Sequence, residues 1–259
     1  MLLQDRVCIV SGIGPGLGRS VALACAREGA DVVLAARSAD ALAACAAEVR
    51  ALGRRALPVP TDLARAGDGA ALAAAASAEF GRIDVLVNNA FLSNPTALFE
   101  EAALEDWRRM FEVNVFGALA LTQAVVPHMK AQGRGSIVFV NSMSIRIVEP
   151  RMGGYAASKG ALMTAAQTLA RELGAHGIRV NSVVPGYIWS DKMEGYFRFL
   201  ATQQGTTYEA VHADIAGRTA LRHIPDSDEI ADAVVFFASE LSRAISGQAL
   251  DVNGGHHFH

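Results

Sequence analysis

The sequence predicts an α/β fold in which a parallel β-sheet is covered by helices on both faces. Short apolar runs alternate with longer helical segments along most of the 259 residues, and this alternation is typical of parallel sheets. Hydrophobic residues make up 51% of the chain and charged residues 19%, a balance that argues against disorder. Because no linker or repeat interrupts the chain, we expect residues 1–259 to form a single domain.

The individual elements follow from apolar runs bounded by turn residues and from helical spacing of apolar residues. The predicted strands are 6–10, 31–36, 56–60, 83–87, 137–140, 179–184 and 247–252. The predicted helices are 16–28, 39–52, 66–80, 104–129, 155–173 and 230–239, and residues 143–154 are predicted to form a loop. Residues 191–224 break the strand–helix alternation and carry aromatic residues at helical spacing.

A glycine-rich turn follows the first predicted strand. It reads Gly12-Ile13-Gly14-Pro15-Gly16-Leu17-Gly18. Glycines allow the backbone to approach a pyrophosphate, and a helix N-terminus offers free N–H groups and the positive end of its dipole. Since the turn lies between a strand and a helix, with a second strand beyond, it predicts a dinucleotide site.

The end of the second strand bears on which dinucleotide binds. An NAD site typically places a carboxylate about 20 residues after the glycines, where it holds the ribose hydroxyls. Here the strand ends in Ala36-Arg37-Ser38. The Arg37 guanidinium can pair with a 2′-phosphate, and Ser38 can add a hydroxyl contact. The pattern favours NADP, with NAD possible; the alternative is that Arg37 is an ordinary solvated charge.

Tyr155 and Lys159 are spaced to lie on one face of a helix, one turn apart. A free phenol has a pKa of about 10 and is a poor base at neutral pH, but a nearby ammonium lowers that pKa. Ser142 follows the apolar strand 137–140 and can hold a carbonyl or alcohol oxygen. The alternative is a surface Tyr and a surface Lys that share a helical spacing by chance.

Taken together, these motifs resemble the classical short-chain dehydrogenase/reductase family over nearly the whole chain. The matching residues are the glycine turn, Asn88-Asn89-Ala90, Asn114, Ser142, Tyr155 with Lys159, and Pro185-Gly186. The resemblance implies a Rossmann-type three-layer αβα sandwich with a seven-stranded parallel sheet. It also implies an NAD(P)(H)-dependent oxidoreductase that transfers a hydride between nicotinamide and a ketone or secondary alcohol, here expected to be a small, fairly apolar molecule.

The resemblance also implies roles for individual residues. Tyr155 would move the proton, Ser142 would hold the reacting oxygen, and Lys159 would lower the pKa of Tyr155 and bind the nicotinamide ribose. The backbone carbonyl of Asn114 would anchor a water linked to Lys159. Asp62 would accept from the adenine amino group, although a helix cap is an equally open reading. The implied cofactor contacts are Gly12, Gly14, Pro15, Gly16, Leu17, Gly18, Arg37, Ser38, Asp62, Leu63, Asn89, Ala90, Tyr155, Lys159, Pro185, Gly186, Ile188 and Ser190.

Three positions depart from the family pattern. Phe91 stands where the family usually has Gly, and this bulk should alter the pocket beside the nicotinamide. Pro15 stands where NADP-preferring members often carry a basic residue, and Ser190 replaces the usual Thr. By position, residues 191–224 are expected to form a substrate lid. The expected substrate pocket comprises Phe91, Ser142, Ser144, Met152, Tyr187, Trp189, Met193, Tyr196 and Phe197.

Two other functions are weighed against this one. A 3-oxoacyl-carrier-protein reductase would need a basic patch for its acidic partner; Arg146 and Arg151 are candidates, with Glu149 between them diluting the patch. A non-catalytic dinucleotide sensor is compatible with the fold. Such a sensor would not need Ser142, Tyr155, Lys159 and Asn114 all to be intact.

Charge and composition narrow the remaining expectations. The net charge of −3 predicts no general affinity for nucleic acid or anionic membranes, and we expect a cytoplasmic protein with no secretory signal and no apolar run approaching a membrane span. The three cysteines, Cys8, Cys25 and Cys45, are expected to be small buried hydrophobes. The tail 256–259 lacks a complete set of metal ligands. We expect the tail at a subunit interface, with helices 104–129 and 155–173 as subunit contacts in a homotetramer, or failing that a dimer.

Overall fold

The computed structural model describes residues 1–258, so His259 of the C-terminal tail lies outside the described residues. The sheet has seven parallel strands in the order β3-β2-β1-β4-β5-β6-β7, which confirms the predicted sheet. The strands are β1 (Val7–Ser11), β2 (Asp31–Ala36), β3 (Ala56–Pro60), β4 (Val85–Asn88), β5 (Gly135–Val140), β6 (Ile178–Pro185) and β7 (Ala249–Val252).

Helices cover both faces of the sheet. Neighbouring residues of each strand point to opposite sides, and since both sets are apolar, both faces must be buried. In β1, Cys8 and Val10 join one core cluster while Val7 and Ile9 join the other. The helices are α1 (Leu17–Arg27), α2 (Ala39–Ala51), α3 (Asp68–Phe80), α4 (Leu104–Phe111), α5 (Ala118–Gln132), α6 (Gly153–Leu173), α7 (Asp191–Gln204), α8 (Tyr208–Gly217) and α9 (Ser227–Ala238). Residues of α1, α2 and α9 pack on one face and those of α3, α5 and α6 on the other. Cys8, Cys25 and Cys45 are free and buried, as expected.

The strand order reverses at β1. The chain adds β2 and β3 on one side of β1 and then returns to place β4 on the other side. In open α/β sheets, ligands bind in the crevice at the carboxyl ends of the strands where the order reverses. The turn after β1 and the residues after β4 therefore meet at the edge of the sheet where a ligand is expected.

The predicted helix 104–129 is divided into three stretches. Between α4 and α5 the six residues Glu112–Gly117 form a π-helix, with Asn114 completely buried inside it. Such π-helical turns are rare and often occur at functional sites. Helix α6 begins at Gly153, two residues earlier than predicted, and a Cβ on Gly153 would lie 2.8 Å from the Trp107 ring.

One helical segment corrects the expectation about membrane spans. The 29 residues Leu104–Gln132 are long and apolar enough to cross a membrane by length and composition, with a window of mean hydropathy 1.3. We interpret this segment as a core helix, because Leu121, Val125 and Met129 are fully buried against the sheet.

Helices α7 and α8 form a small apolar cluster of their own beside the sheet. Phe197, Val211 and Ile215 are its buried centre. The C-terminal segment packs against the base of this cluster, since the backbone N–H groups of Ala220 and Leu221 donate to Gly255 and Gly254. Among residues 1–258, no group of three or more His, Cys, Asp or Glu could hold a metal ion.

Candidate active site

The glycines of the turn after β1 have two different structural roles. Gly12 has a φ of +78°, and a Cβ there would lie 2.6 Å from the Ala90 Cα. A Cβ on Gly18 would lie 2.2 Å from the Gly12 carbonyl oxygen. Both positions therefore exclude side chains for reasons of packing. A Cβ added to Gly14 would have no neighbour within 4 Å, and a Cβ added to Gly16 would meet only the Ser227 hydroxyl, at 4.0 Å.

This open surface lies at the start of α1. Gly16 is the N-cap and provides no side-chain hydrogen bond, and the first turn carries no acidic residue. The first N–H groups of α1 are thus available to an anion, and the helix dipole favours one. The turn fits the diphosphate of a dinucleotide.

A hydrogen-bond network fixes the turn to the end of β4. The buried Ser11 hydroxyl donates to the Val87 carbonyl at 3.3 Å and accepts from the Asn89 N–H at 3.1 Å. The Asn89 Nδ2 donates to the carbonyls of Ser11 and Gly12, both at 3.0 Å. Sequence reasoning missed Ser11, because a single Ser at a strand end carries no pattern that separates it from other turn residues.

A cavity of about 620 Å³ opens at the carboxyl ends of β1 to β4. It is lined by seven of the predicted cofactor residues, namely Gly12, Arg37, Ser38, Asp62, Leu63, Asn89 and Ala90. It is also lined by residues that the sequence did not indicate, namely Ser11, Ile13, Ala35, Thr61, Ala64, Leu92, Arg109, Glu112 and Val113. Its size is that of a pocket for a drug-sized ligand, and its position suits a nucleotide.

The residues that bear on cofactor choice lie in this cavity. Arg37 is exposed at the end of β2, and within residues 1–258 no carboxylate pairs with it. The Ser38 hydroxyl caps α2 by accepting from the Ala41 N–H at 3.3 Å. Asp62 is not a helix cap, because its Oδ1 accepts from the Ala64 N–H at 3.1 Å while α3 begins only at Asp68.

The structure brings Ser142, Tyr155 and Lys159 together. The Lys159 side chain is buried, and its Nζ donates to the Val140 carbonyl at 2.7 Å. This Nζ lies 5.8 Å from the centroid of the Tyr155 ring. The Ser142 hydroxyl, just beyond β5, accepts from the Ser144 N–H at 3.2 Å. The alternative interpretation, in which Tyr155 and Lys159 are both surface residues, is therefore wrong for Lys159.

Burial is the largest influence on the pKa values of Tyr155 and Lys159. It raises the pKa of Tyr155, while the Ser142 hydroxyl acts in the opposite direction by stabilising the phenolate. Burial also lowers the pKa of Lys159 from 10.5 to about 7. We expected the Lys159 ammonium to lower the pKa of Tyr155; in the structure Ser142 is the group that does so, because the lysine is directed at the Val140 carbonyl.

Asn114 ties the loop after β4 to helix α6. Its Oδ1 accepts from the Leu92 N–H at 2.7 Å, and its Nδ2 donates to the Leu92 carbonyl and the Ser158 hydroxyl, both at 2.9 Å. The Ser158 hydroxyl donates to the Tyr155 carbonyl at 2.7 Å. Ser158 is fully buried and lies between Tyr155 and Lys159 in the chain. The sequence alone gave no indication of a role for it.

The remaining predicted cofactor residues lie at the end of β6, in the loop after it, and in the turn before α1 and at its start. Pro185 pairs with Val252 in the sheet, and a Cβ on Gly186 would lie 2.8 Å from Asn253. Ile188 packs against the core, as does Leu17, while Pro15 is exposed. The Ser190 hydroxyl caps α7 by accepting from the Met193 N–H at 3.2 Å. These residues do not line the cavity described above.

The expected substrate residues divide into two groups. The Phe91 ring is 57% exposed and contacts the Tyr155 ring edge-on, with centroids 6.2 Å apart. Phe197 is completely buried in the cluster of α7 and α8, so its expected place in the pocket is wrong. Tyr187, Trp189 and Met193 also pack against that cluster. Met152 immediately precedes α6, and the Ser144 hydroxyl is buried. Tyr196 is exposed.

Comparison with known proteins agrees with this geometry. A family model described as enoyl-(acyl carrier protein) reductase matches residues 12–257. L-rhamnose 1-dehydrogenase (NAD(P)(+)) from Sphingomonas sp. (strain SKA58) is 35% identical over 256 residues, covering 98% of this chain and 97% of its own. The 7alpha-hydroxysteroid dehydrogenase of Escherichia coli (strain K12) is 32% identical over 253 residues, covering 98% and 94%. The crystal structure of an NAD+-bound xylitol dehydrogenase matches with a TM-score of 0.91 at 30% identity, covering 98% of this chain and 100% of that one.

The chain belongs to the short-chain dehydrogenase/reductase family. It is an NAD(P)-dependent oxidoreductase that acts on alcohol and carbonyl groups. The family resemblance, the fold class and the reaction class drawn from the sequence are thereby confirmed.

Proposed function

We propose that this enzyme interconverts a small ketone and its secondary alcohol, with NADP as the preferred cofactor and Tyr155 as the proton donor and acceptor. The observation that carries the proposal is the grouping of Tyr155, Ser142 and the buried Lys159 at the sheet edge that also forms the nucleotide cavity. A panel of ketones and secondary alcohols, assayed with both cofactors, tests it.

The roles follow from the environment of each side chain. The bound cofactor supplies or accepts the hydride. Because burial raises the pKa of Tyr155, its phenol stays protonated at neutral pH and can donate to the oxygen of a carbonyl. Ser142 holds that oxygen through its hydroxyl, and Lys159 binds the nicotinamide ribose. In the oxidative direction Tyr155 must first lose its proton, so that activity rises with pH.

Arg37 supports the preference for NADP. Its guanidinium lies in the cavity wall with no carboxylate partner among residues 1–258, and Ala36 supplies no negative charge to repel a phosphate. Relatives give no single answer, since the rhamnose dehydrogenase is named for both cofactors and the xylitol dehydrogenase is NAD+-bound. The choice therefore depends on the residues of this chain.

The double variant Ala36→Asp with Arg37→Ala is expected to reverse the cofactor preference. A hydrogen bond to a charged group contributes roughly 1.5–3 kcal/mol, which is a preference of about ten- to hundredfold. Because Arg37 is exposed, we expect the lower end of this range, weakening with added salt. The measurement is kcat/KM for NADP and NAD in the wild type and the double variant.

The matched control for this change is Arg171→Ala, an exposed arginine at the end of α6. It should leave the ratio of the two kcat/KM values unchanged. A wild type that already prefers NAD would show that Arg37 is only a solvated surface charge.

A small free substrate is favoured over a carrier-protein-bound one. The basic patch expected for an acidic carrier is weakened, because the Arg146 Nε lies 3.5 Å from the Asp251 Oδ1 in a partly buried ion pair. Turnover of a carrier-linked oxoacyl thioester, with no turnover of free ketones, would reverse this assignment.

A non-catalytic dinucleotide sensor is also disfavoured, since that function gives no reason for Asn114 and Ser158 to position the helix that carries Tyr155.

We further propose a cytoplasmic homotetramer, or failing that a dimer, without nucleic acid or membrane partners. The exposed Phe116 on the long α4–α5 segment and the exposed Phe258 near the C-terminus support contacts between copies. Light scattering at micromolar concentration should give a mass of four or two chains. A monomer across a dilution series in the micromolar range would contradict the proposal.

A further inference from the structure

We propose that a second cavity beside Tyr155 recognises hydroxyl groups on the substrate, so that the preferred substrates are neutral, polyhydroxylated ketones and alcohols. This side cavity is defined by Ser93, Glu101, Asp106, Trp107, Arg151 and Tyr155. The inference rests on the proposed function, in which Tyr155 meets the reacting oxygen.

The position of the side cavity connects it to the reaction. Tyr155 forms part of its wall, whereas Tyr155 is not among the residues that line the nucleotide cavity. A substrate whose oxygen meets Tyr155 therefore has room for its substituents in the side cavity. The volume of about 240 Å³ is below the usual range for drug-sized ligands and suits a small polar group.

The wall of the side cavity is apolar in part, through residues such as Pro95 and Met110, but it also carries three charged side chains. Glu101, Asp106 and Arg151 have no side-chain hydrogen-bond or ion-pair partner among residues 1–258. Their neighbour Glu105, by contrast, pairs with Arg108 at 3.1 Å on the helix surface. Two carboxylates accept hydrogen bonds and one guanidinium donates them, while the Ser93 hydroxyl does both. Vicinal hydroxyl groups, which both donate and accept, match this set.

Charge selects among polar substrates. A carboxylate in the side cavity would face two like charges, Glu101 and Asp106, against the single opposite charge of Arg151. An ammonium group would pair with the two carboxylates but would offer the Arg151 guanidinium no acceptor and a like charge. A neutral hydroxylated group can donate to the carboxylates and accept from the guanidinium, so that all three side chains gain charge-assisted hydrogen bonds. The charges thus point to uncharged polyhydroxylated compounds.

Two backbone features hold the wall in place. Gly153 and Gly154 pack so closely on the Trp107 ring that a Cβ on either would lie within 2.9 Å of it. Arg151 has a φ of +70°, a left-handed conformation that is uncommon outside glycine and recurs at functional sites. Trp107 therefore offers a fixed apolar surface in the same wall as Arg151.

The test compares ketones that differ only in hydroxylation, namely butanone against erythrulose and cyclohexanone against 2-hydroxycyclohexanone. In the wild type, kcat/KM should be about tenfold or more higher for each hydroxylated member. In the double variant Glu101→Gln with Asp106→Asn, this advantage, measured as the ratio of kcat/KM within each pair of ketones, should fall by about tenfold. The matched control is Glu105→Gln, which removes a neighbouring carboxylate outside the side cavity.

Each other result counts against a stated claim. Turnover of the ketones without a preference for hydroxylated members, or a preference that the double variant retains, overturns the inference and leaves the proposed function standing. A preference for levulinate over butanone would make Arg151 a carboxylate-binding residue and the neutral assignment wrong. No turnover of any ketone with either cofactor would overturn the proposed function and the inference with it.

Discussion

The variant Tyr155→Phe is expected to lose nearly all activity, with kcat for ketone reduction falling by about 10²–10⁴-fold, the range typical of a general acid. The substitution removes only the hydroxyl that donates the proton, and the ring keeps its edge-on contact with Phe91. Because no other hydroxyl replaces the lost donor at that atom, the loss should appear in kcat. Cofactor binding, followed by fluorescence titration, should stay within about twofold.

Tyr208→Phe is the matched control for this variant. Tyr208 lies at the start of α8, where it packs against the cluster of α7 and α8 and against Arg198, and its hydroxyl should not matter for turnover. If Tyr155→Phe kept a tenth or more of the wild-type kcat, the proton-transfer role assigned to Tyr155 would have to be abandoned.

The variant Lys159→Met should affect both activity and the pH dependence of stability. We expect kcat/KM with respect to the cofactor to fall by about ten- to hundredfold, because a hydrogen bond from a charged donor is lost. The measurement is steady-state kinetics over a range of cofactor concentrations. Lys130→Met, on the exposed last turn of α5, is the control and should retain wild-type kinetics.

The stability effect has a defined sign. In the unfolded chain Lys159 has a pKa of 10.5, and burial lowers its folded pKa to about 7. Between these values the unfolded chain binds more protons than the folded one, so this group makes the wild type more stable as pH rises and least stable below pH 7. Relative to Lys159→Met, the wild type should gain about 2–3 kcal/mol in free energy of unfolding between pH 6 and pH 9.

Urea unfolding of the cofactor-free wild type and Lys159→Met at pH 6 and pH 9 measures this gain. Taking the difference between the two proteins removes the titration of groups they share. A difference that does not change with pH would mean that the buried ammonium carries no desolvation penalty, contrary to its environment.

The local pattern of apolar and turn-forming residues was sufficient to predict most of the fold. Strands β2 and β3 have the predicted bounds, because a short apolar run between turn residues leaves little choice of register or length. The helix ends were less well predicted. Helix α6 starts early because Gly153 and Gly154 fit against the Trp107 ring, a contact between residues far apart in the chain that no local pattern contains.

The residues proposed to be catalytic could be selected from the sequence for a similar reason, whereas their surroundings could not. Tyr155 and Lys159 are neighbours through helical spacing alone, and Gly12 is indicated by the turn it must form. The desolvation of Lys159 depends on β5, whose Val140 carbonyl accepts a hydrogen bond from the Lys159 Nζ, and on packing from several elements. The resulting pKa of about 7 is a property of burial and therefore of the tertiary structure.

By itself, the amino-acid sequence determined the class of fold, the place of the glycine turn and the choice of the side chains proposed to react, because each depends on residues within one strand, turn or helix. Only the tertiary structure decided that Phe197 belongs to the buried cluster of α7 and α8 and that Asn114 binds Ser158. It also decided that Glu101, Asp106 and Arg151 surround one cavity next to Tyr155. These outcomes depend on which distant segments meet, and packing of the whole chain sets those meetings.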